Sequence, residues 1–198
     1  AFLMEHEHFT YPEAIRFLAK RYNIEIEETE QSDEEKEKAN TRESLYLINQ
    51  FAQDSFAQDL WESSEGMAIG LSYFRERGFT DESIRFFSLG YAAEQRDHFY
   101  KKATKAGYAE NLLEETGLVI KNERGFVDRF RGRVIFPIRS MAGRVQGFGC
   151  RILSATAKTA KYLNSPESDV YHKSMVLYGM YEAKKAIAKE DVCYLVEG

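Results

Sequence analysis

One change of hydrophobic period, near Gly117, constrains this chain more than any other feature. Before it, apolar residues recur at helical spacing: Leu45, Ile48, Ala52 and Phe56 fall on one side of a helix predicted from about Arg42 to Glu62. After it, Val134, Phe136 and Ile138 alternate with Arg133, Ile135 and Arg139 around Pro137. Ser140-Met141-Ala142-Gly143 then reads as a turn, and Arg144 to Leu153 as the returning strand. The pattern predicts an α+β chain with a helical N-terminal half followed by an antiparallel, hairpin-rich region.

Punctuation residues place the other elements. Thr10-Tyr11-Pro12-Glu13 has the form of a capped helix start, and Ile15, Leu18 and Tyr22 continue it as an apolar face to about residue 22. Residues 25–38 carry eight acidic side chains and almost no large apolar ones, the composition of a linker. A helix from Met67 to Arg77 is stopped by Gly78, and Thr80 caps a short one after it. Helices near 95–106 and 109–116 end at Gly107 and Gly117. A last helix is predicted from roughly Met175 to Lys189. Val192 to Val196 then reads as a fully buried strand of the parallel-sheet kind, leading to Glu197-Gly198. The opening helix is too short for its own core and is expected to close a preceding domain. The closing strand is expected to open a following one.

Charge is distributed unevenly. The net charge is −5, yet residues 121–189 hold 14 Lys and Arg against five Asp and Glu. Arg129, Arg131, Arg133, Arg139, Arg144 and Arg151 are laced through the predicted strands. Cations among amides and aromatics suit a phosphate-bearing ligand, a nucleic acid above all. The competing reading is a solvated, arginine-rich face. No apolar run reaches the roughly 18 residues of a membrane span. Cys150 and Cys193 have no CxxC spacing, so reduced thiols in a cytosolic protein and no zinc site are expected. His6-Glu7-His8 reads as an incidental pair. Gly147 and Gly149 indicate either a β-bulge or a close approach by a partner chain or phosphate.

Several runs together resemble the DnaG-type bacterial primases, which make RNA primers for DNA replication. They are DRFRGRVIFPI (128–138), GRVQGFG (143–149), KYLNSPES (161–168), YHKS (171–174) and LYGMYEAKKAI (177–187). YFRERGF (73–79) and FSLGYA (87–92) extend the likeness into the helical half. The resemblance implies residues 1–24 as the tail helix of a zinc-binding domain and 25–43 as an acidic linker. Residues 44–189 would be the N-terminal subdomain of the catalytic core, and 190–198 the first strand of a truncated TOPRIM α/β domain. Glu197 matches the first catalytic acid of that domain and would be one ligand of a Mg²⁺ (or Mn²⁺) site whose other ligands follow it. A part with one such carboxylate is expected to be inactive alone, with no metal bound. Zn²⁺ belongs to the family's N-terminal domain.

By motif position the family's basic ridge, which guides template and nucleotides, would be Arg77, Arg151, Lys161, Asn164 and Lys173. Tyr162 would add a stacking face. Arg131 and Arg133 are either ridge residues or sheet-surface charges paired with Asp128 or Glu123. Asn164-Ser165-Pro166-Glu167, taken alone, also fits turn or helix capping. Cys150 stands where the family usually has glycine and Ala160 where proline is common, which bears on loop geometry. The implied partners are single-stranded DNA template, RNA primer and nucleoside triphosphates, with the replicative helicase met through a C-terminal domain. The implied location is the bacterial cytoplasm at the replication fork. The alternatives are a non-catalytic module binding single-stranded nucleic acid, or another TOPRIM enzyme such as a phage primase-helicase.

Overall fold

The computed structural model describes residues 11–22, 24, 33–153 and 159–196. The chain divides between Lys38 and Ala39 into two compact units. In the first, α1 (Tyr11–Tyr22) has Ala19 as its buried residue, while Ile15, Leu18 and Tyr22 remain partly exposed. Thr10 and His6-Glu7-His8 lie outside the described residues.

Helix α2 (Asp33–Glu62) begins nine residues earlier than the apolar pattern predicts. Its first turns are residues 33–38, the described part of the acidic stretch read as linker. Glu and Lys are good helix formers, and carboxylates in a first turn face the positive end of the helix dipole. From Leu45 onward α2 is buried on the predicted side, with Leu45, Ile48, Ala52 and Leu60 fully enclosed and Phe56 nearly so. A π-helical turn (Gly66–Leu71) runs directly into α3 (Ser72–Glu76). Thr80 caps α4 (Asp81–Phe86) by accepting from the Ser83 amide at 3.1 Å. Helices α5 (His98–Lys105) and α6 (Glu110–Glu115) follow, and the chain leaves them through Gly107 and Gly117 at positive φ, as predicted.

The main sheet is antiparallel with strand order β1-β4-β5-β6, formed by β1 (Gly90–Ala92), β4 (Arg133–Arg139), β5 (Val145–Ile152) and β6 (Tyr162–Asn164). A separate hairpin pairs β2 (Val119–Asn122) with β3 (Gly125–Asp128). The predicted hairpin around residues 140–143 is therefore β4–β5, but the alternation within β4 is not. Five of its seven residues are buried, because β4 is central and covered on both sides. Ile135 joins the core cluster of Ile48, Phe56, Phe99 and Phe148, while Val134 joins that of Leu60, Phe74, Ile84 and Tyr91. Register slips by one between Ile138 and Arg139, so Gln146 stands as an extra residue on β5. Its backbone carbonyl accepts from the Asn49 side chain of α2 at 2.9 Å, and its side-chain Nε2 donates to the Val170 carbonyl at 2.9 Å. The bulge thus lies beside Gly147. The space over Gly147 is filled by Ser165 and Tyr171 of this same chain, not left open for a partner.

Helix α7 (Met180–Glu190) starts after a 3₁₀ turn (Lys173–Met175) and Gly179, later than the predicted Met175. Arg139 holds α7 to the core. Its guanidinium donates to Glu182 Oε1 at 2.8 Å, and to Gln53 Oε1 and Ser88 Oγ at 2.7 Å each. The segment Val192–Val196, expected to be the first strand of a following domain, is exposed and pairs with no described strand. A strand is stable only when its N–H and C=O groups meet a neighbour's, and no described strand lies beside it.

Candidate nucleic-acid interface

The β5–β6 edge and helix α3 bring five of the chain's cations and aromatics into one row. Arg151 on β5 and Tyr162 on β6 are register partners, so their side chains share a face. The Arg151 Cζ lies 5.7 Å from the Tyr162 ring centroid and 5.0 Å from that of Tyr73 on α3. Arg77, one turn beyond Tyr73, places its Cζ 4.7 Å from the same Tyr73 ring. At the other end Lys161 Nζ stands 5.7 Å from Tyr162. The order is Arg77, Tyr73, Arg151, Tyr162, Lys161. Each cation faces a ring at cation–π distance, and Tyr162 keeps 62% of its surface open to solvent.

Beside the row lies a cleft of about 570 Å³. Tyr162, Asn164, Lys173, Gly149 and Cys150 line it together with Tyr178. Asn164 sits on β6 opposite Gly149, with its Oδ1 close over the glycine. Lys173 is held by its backbone, whose N–H donates to Glu167 Oε1 at 3.0 Å. The same carboxylate meets His172 Nδ1 at 3.0 Å. The Lys173 amide first, then His172, hold Glu167 below the usual carboxylate range. So the capping reading of this run holds for Glu167, whereas Asn164 faces the cleft and Ser165 pairs with Phe148.

Arg133 is the exception among the predicted site residues. Its surface is only 3% exposed. The guanidinium donates to the Ala160 carbonyl at 2.9 Å, to Thr159 Oγ1 at 3.2 Å and to the Lys161 carbonyl at 3.3 Å. It is neither a surface charge nor an open phosphate donor. It braces the backbone that presents Lys161. Asp128, its suggested partner, instead accepts from the Phe99 and Tyr100 amides at 2.7 and 2.9 Å, at the start of α5. Burial pushes the Asp128 carboxyl up to about 6, against those two bonds. Arg131 is exposed on the turn before β4 and forms no ion pair with Asp128 or Glu123 among the described residues. Burial also pushes the Cys150 thiol up to about 11, with Arg133 next to it pulling the other way.

Two residues of this region were not assigned to the site by sequence. Tyr73 is 78 positions from Arg151, and nothing local marks the pair. Arg129 has its Nε buried without a partner among the described residues, as does Arg151. Its place in the Arg129, Arg131, Arg133 run was the available signal. Among the described residues no three His, Cys, Asp or Glu stand together to hold a metal ion. Glu197 lies outside the described residues. No described helix is long and apolar enough to cross a membrane.

A helical half packed on an antiparallel hairpin sheet is a fold this chain shares with solved DnaG catalytic cores. The family model for the DNA primase catalytic core, N-terminal domain, matches residues 56–184, and the chain belongs to that family. The DNA primase of Salmonella typhimurium is 36% identical over the whole chain. The chain spans about a third of that relative's length, 33%. Among solved structures, the RNA polymerase domain of Mycobacterium tuberculosis primase DnaG in complex with double-stranded DNA superposes with a TM-score of 0.75. That match is 38% identical and covers 79% of this chain and 49% of the other. A DnaG primase catalytic domain bound to single-stranded DNA matches with a TM-score of 0.68 and 37% identity, covering 75% of this chain and 47% of the other.

Proposed function

We propose that this chain is the part of a DNA primase that holds single-stranded template beside the site of RNA primer synthesis. The observation that carries the reading is the row itself: Arg77, Arg151 and Lys161 interleaved with Tyr73 and Tyr162, next to a cleft reached by Asn164 and Lys173. The relative caught with single-stranded DNA supports the choice of ligand.

Each residue type has a distinct task in this reading. Arg151 and Arg77 offer planar forks to phosphate oxygens, and Lys161 and Lys173 supply compact charge. Neutralising phosphates releases condensed counterions, which makes binding strong at low salt and steeply salt-dependent. Tyr162 offers a ring on which a base stacks without regard to sequence. Asn164 donates to a phosphate or meets a base edge. Arg133 orders the loop under Lys161, and Arg131 adds an outlying charge.

Nucleotidyl transfer itself needs groups beyond these. The described residues do not form a metal site, so no step is assigned through one. In the proposed whole enzyme, Glu197 and further carboxylates would hold Mg²⁺ or Mn²⁺, and Zn²⁺ would sit in another domain. Nucleoside triphosphates and the RNA primer would meet the same cleft, and the replicative helicase a different part of the longer protein, in the bacterial cytoplasm at the replication fork.

The test is fluorescence anisotropy of labelled single-stranded and duplex DNA across a salt series, with wild type, Lys161→Ala and Arg151→Ala. Single strands should be preferred, and each substitution should flatten the log–log salt slope by about 0.7 while leaving folding stability within about 0.5 kcal/mol. Unchanged slopes for both variants would remove the row from the template path.

A further inference from the structure

We infer that Tyr73 is a positioning residue for Arg151, fixing which end of that guanidinium faces the ligand. The inference rests on the template-binding reading and adds to it a residue from the helical half.

The sequence places Tyr73 two residues into α3, where a tyrosine ring next to Phe74 is at first sight core. Its ring does pack edge-on against Phe74, with centroids 5.6 Å apart. Yet Tyr73 is only half-buried, while Phe74 is fully enclosed. What distinguishes Tyr73 is its outer face. The hydroxyl accepts a hydrogen bond from Arg151 Nη1, and the ring lies under both Arg151 and Arg77.

Consider the five N–H donors of Arg151 in turn. Nε is buried and has no partner among the described residues. Nη1 is taken by Tyr73 Oη. Nη2 has no hydrogen-bond partner among the described residues. The guanidinium lies between the Tyr73 and Tyr162 rings, at 5.0 and 5.7 Å from their centroids. Tyr162 is mostly exposed and free to take a base, so it is a poor anchor. Tyr73 is fixed by its helix and by Phe74, so it is the rigid side of the pair. An arginine on the outer face of the sheet would otherwise sample many rotamers, and ordering it on binding would cost affinity. Tyr73 orders it beforehand and leaves the Nη2 edge for phosphate.

This predicts non-additivity, which neither a packing role nor direct base contact would give. The measurements are the single-strand salt series, using a labelled oligothymidylate, and thermal unfolding, on Tyr73→Phe, Tyr73→Leu, Arg151→Ala and Tyr73→Leu/Arg151→Ala. Tyr73→Phe keeps the ring and its packing and loses only the hydroxyl. It should unfold like wild type and weaken binding severalfold. Tyr73→Leu should flatten the salt slope by about 0.7, as Arg151→Ala does, and the double variant should bind no more weakly than Arg151→Ala. Full additivity in the double variant would make Tyr73 an independent contact and overturn the inference. So would wild-type binding by Tyr73→Phe and Tyr73→Leu beside a weakened Arg151→Ala. If Arg151→Ala itself binds like wild type, the template reading fails first and this inference with it.

Discussion

Arg139 and Arg151 lie on adjacent strands of one sheet and are used in opposite ways. Arg139 is enclosed by Glu182, Gln53 and Ser88, which take up its donors and tie α7 and α2 to β4. Arg151 meets one hydroxyl and two aromatic faces, which hold it without neutralising it. Arg139 also lies 5.8 Å from the Tyr181 ring, so it is the Glu182 carboxylate that makes it a tie, whereas Arg151 has no carboxylate partner among the described residues. Arg133 falls between them, buried like Arg139 but bonded to neutral loop oxygens near the row.

That contrast can be broken by substitution, beginning with the largest effect. Arg139→Ala should cost about 3–5 kcal/mol of folding stability, because it leaves Glu182 as a buried, unpaired charge. Urea unfolding measures it, and Arg139→Met combined with Glu182→Leu should recover most of the loss. A cost below about 1 kcal/mol would show Arg139 to be no tie. Asp128 sets a smaller, pH-dependent effect. Its folded carboxyl titrates near 6, above the unfolded value, so the folded state binds the proton more tightly. Its stabilising contribution is complete below about pH 4 and is lost as pH rises through about 6, on the order of 2–3 kcal/mol. Asp128→Asn should flatten the urea midpoint over that window, and an unchanged profile would assign the dependence elsewhere. Smaller again, Arg133→Met should cost about 1–3 kcal/mol by leaving the Ala160 carbonyl without the arginine that donates to it. Wild-type stability with a flatter salt slope would instead return Arg133 to the phosphate contacts.

The sequence made some of this plain and hid the rest for physical reasons. Helical burial at Leu45, Ile48, Ala52 and Phe56 was legible because one periodic face meets one core. The β4–β5 hairpin was legible from its turn residues. The start of α2 was not, since acidic residues favour both a solvated linker and a helix N-terminus. Likewise the positions of Arg77, Arg151, Lys161 and Lys173 could be named from motifs. Which of the chain's arginines are enclosed could not, because Glu182, Gln53 and Ser88 lie far from Arg139 in sequence and only the fold assembles them. Tyr73 was hidden for the same reason.

The two thiols also occupy different worlds. Cys150 is buried under Leu163 and Arg133 with its thiol pushed up to about 11, so it stays protonated and shielded at neutral pH. Cys193 is exposed. A maleimide dye added to the native chain would therefore choose one address, beyond the end of α7. That gives a single-site reporter for testing the proposed DNA binding without altering any residue of the cation–aromatic row.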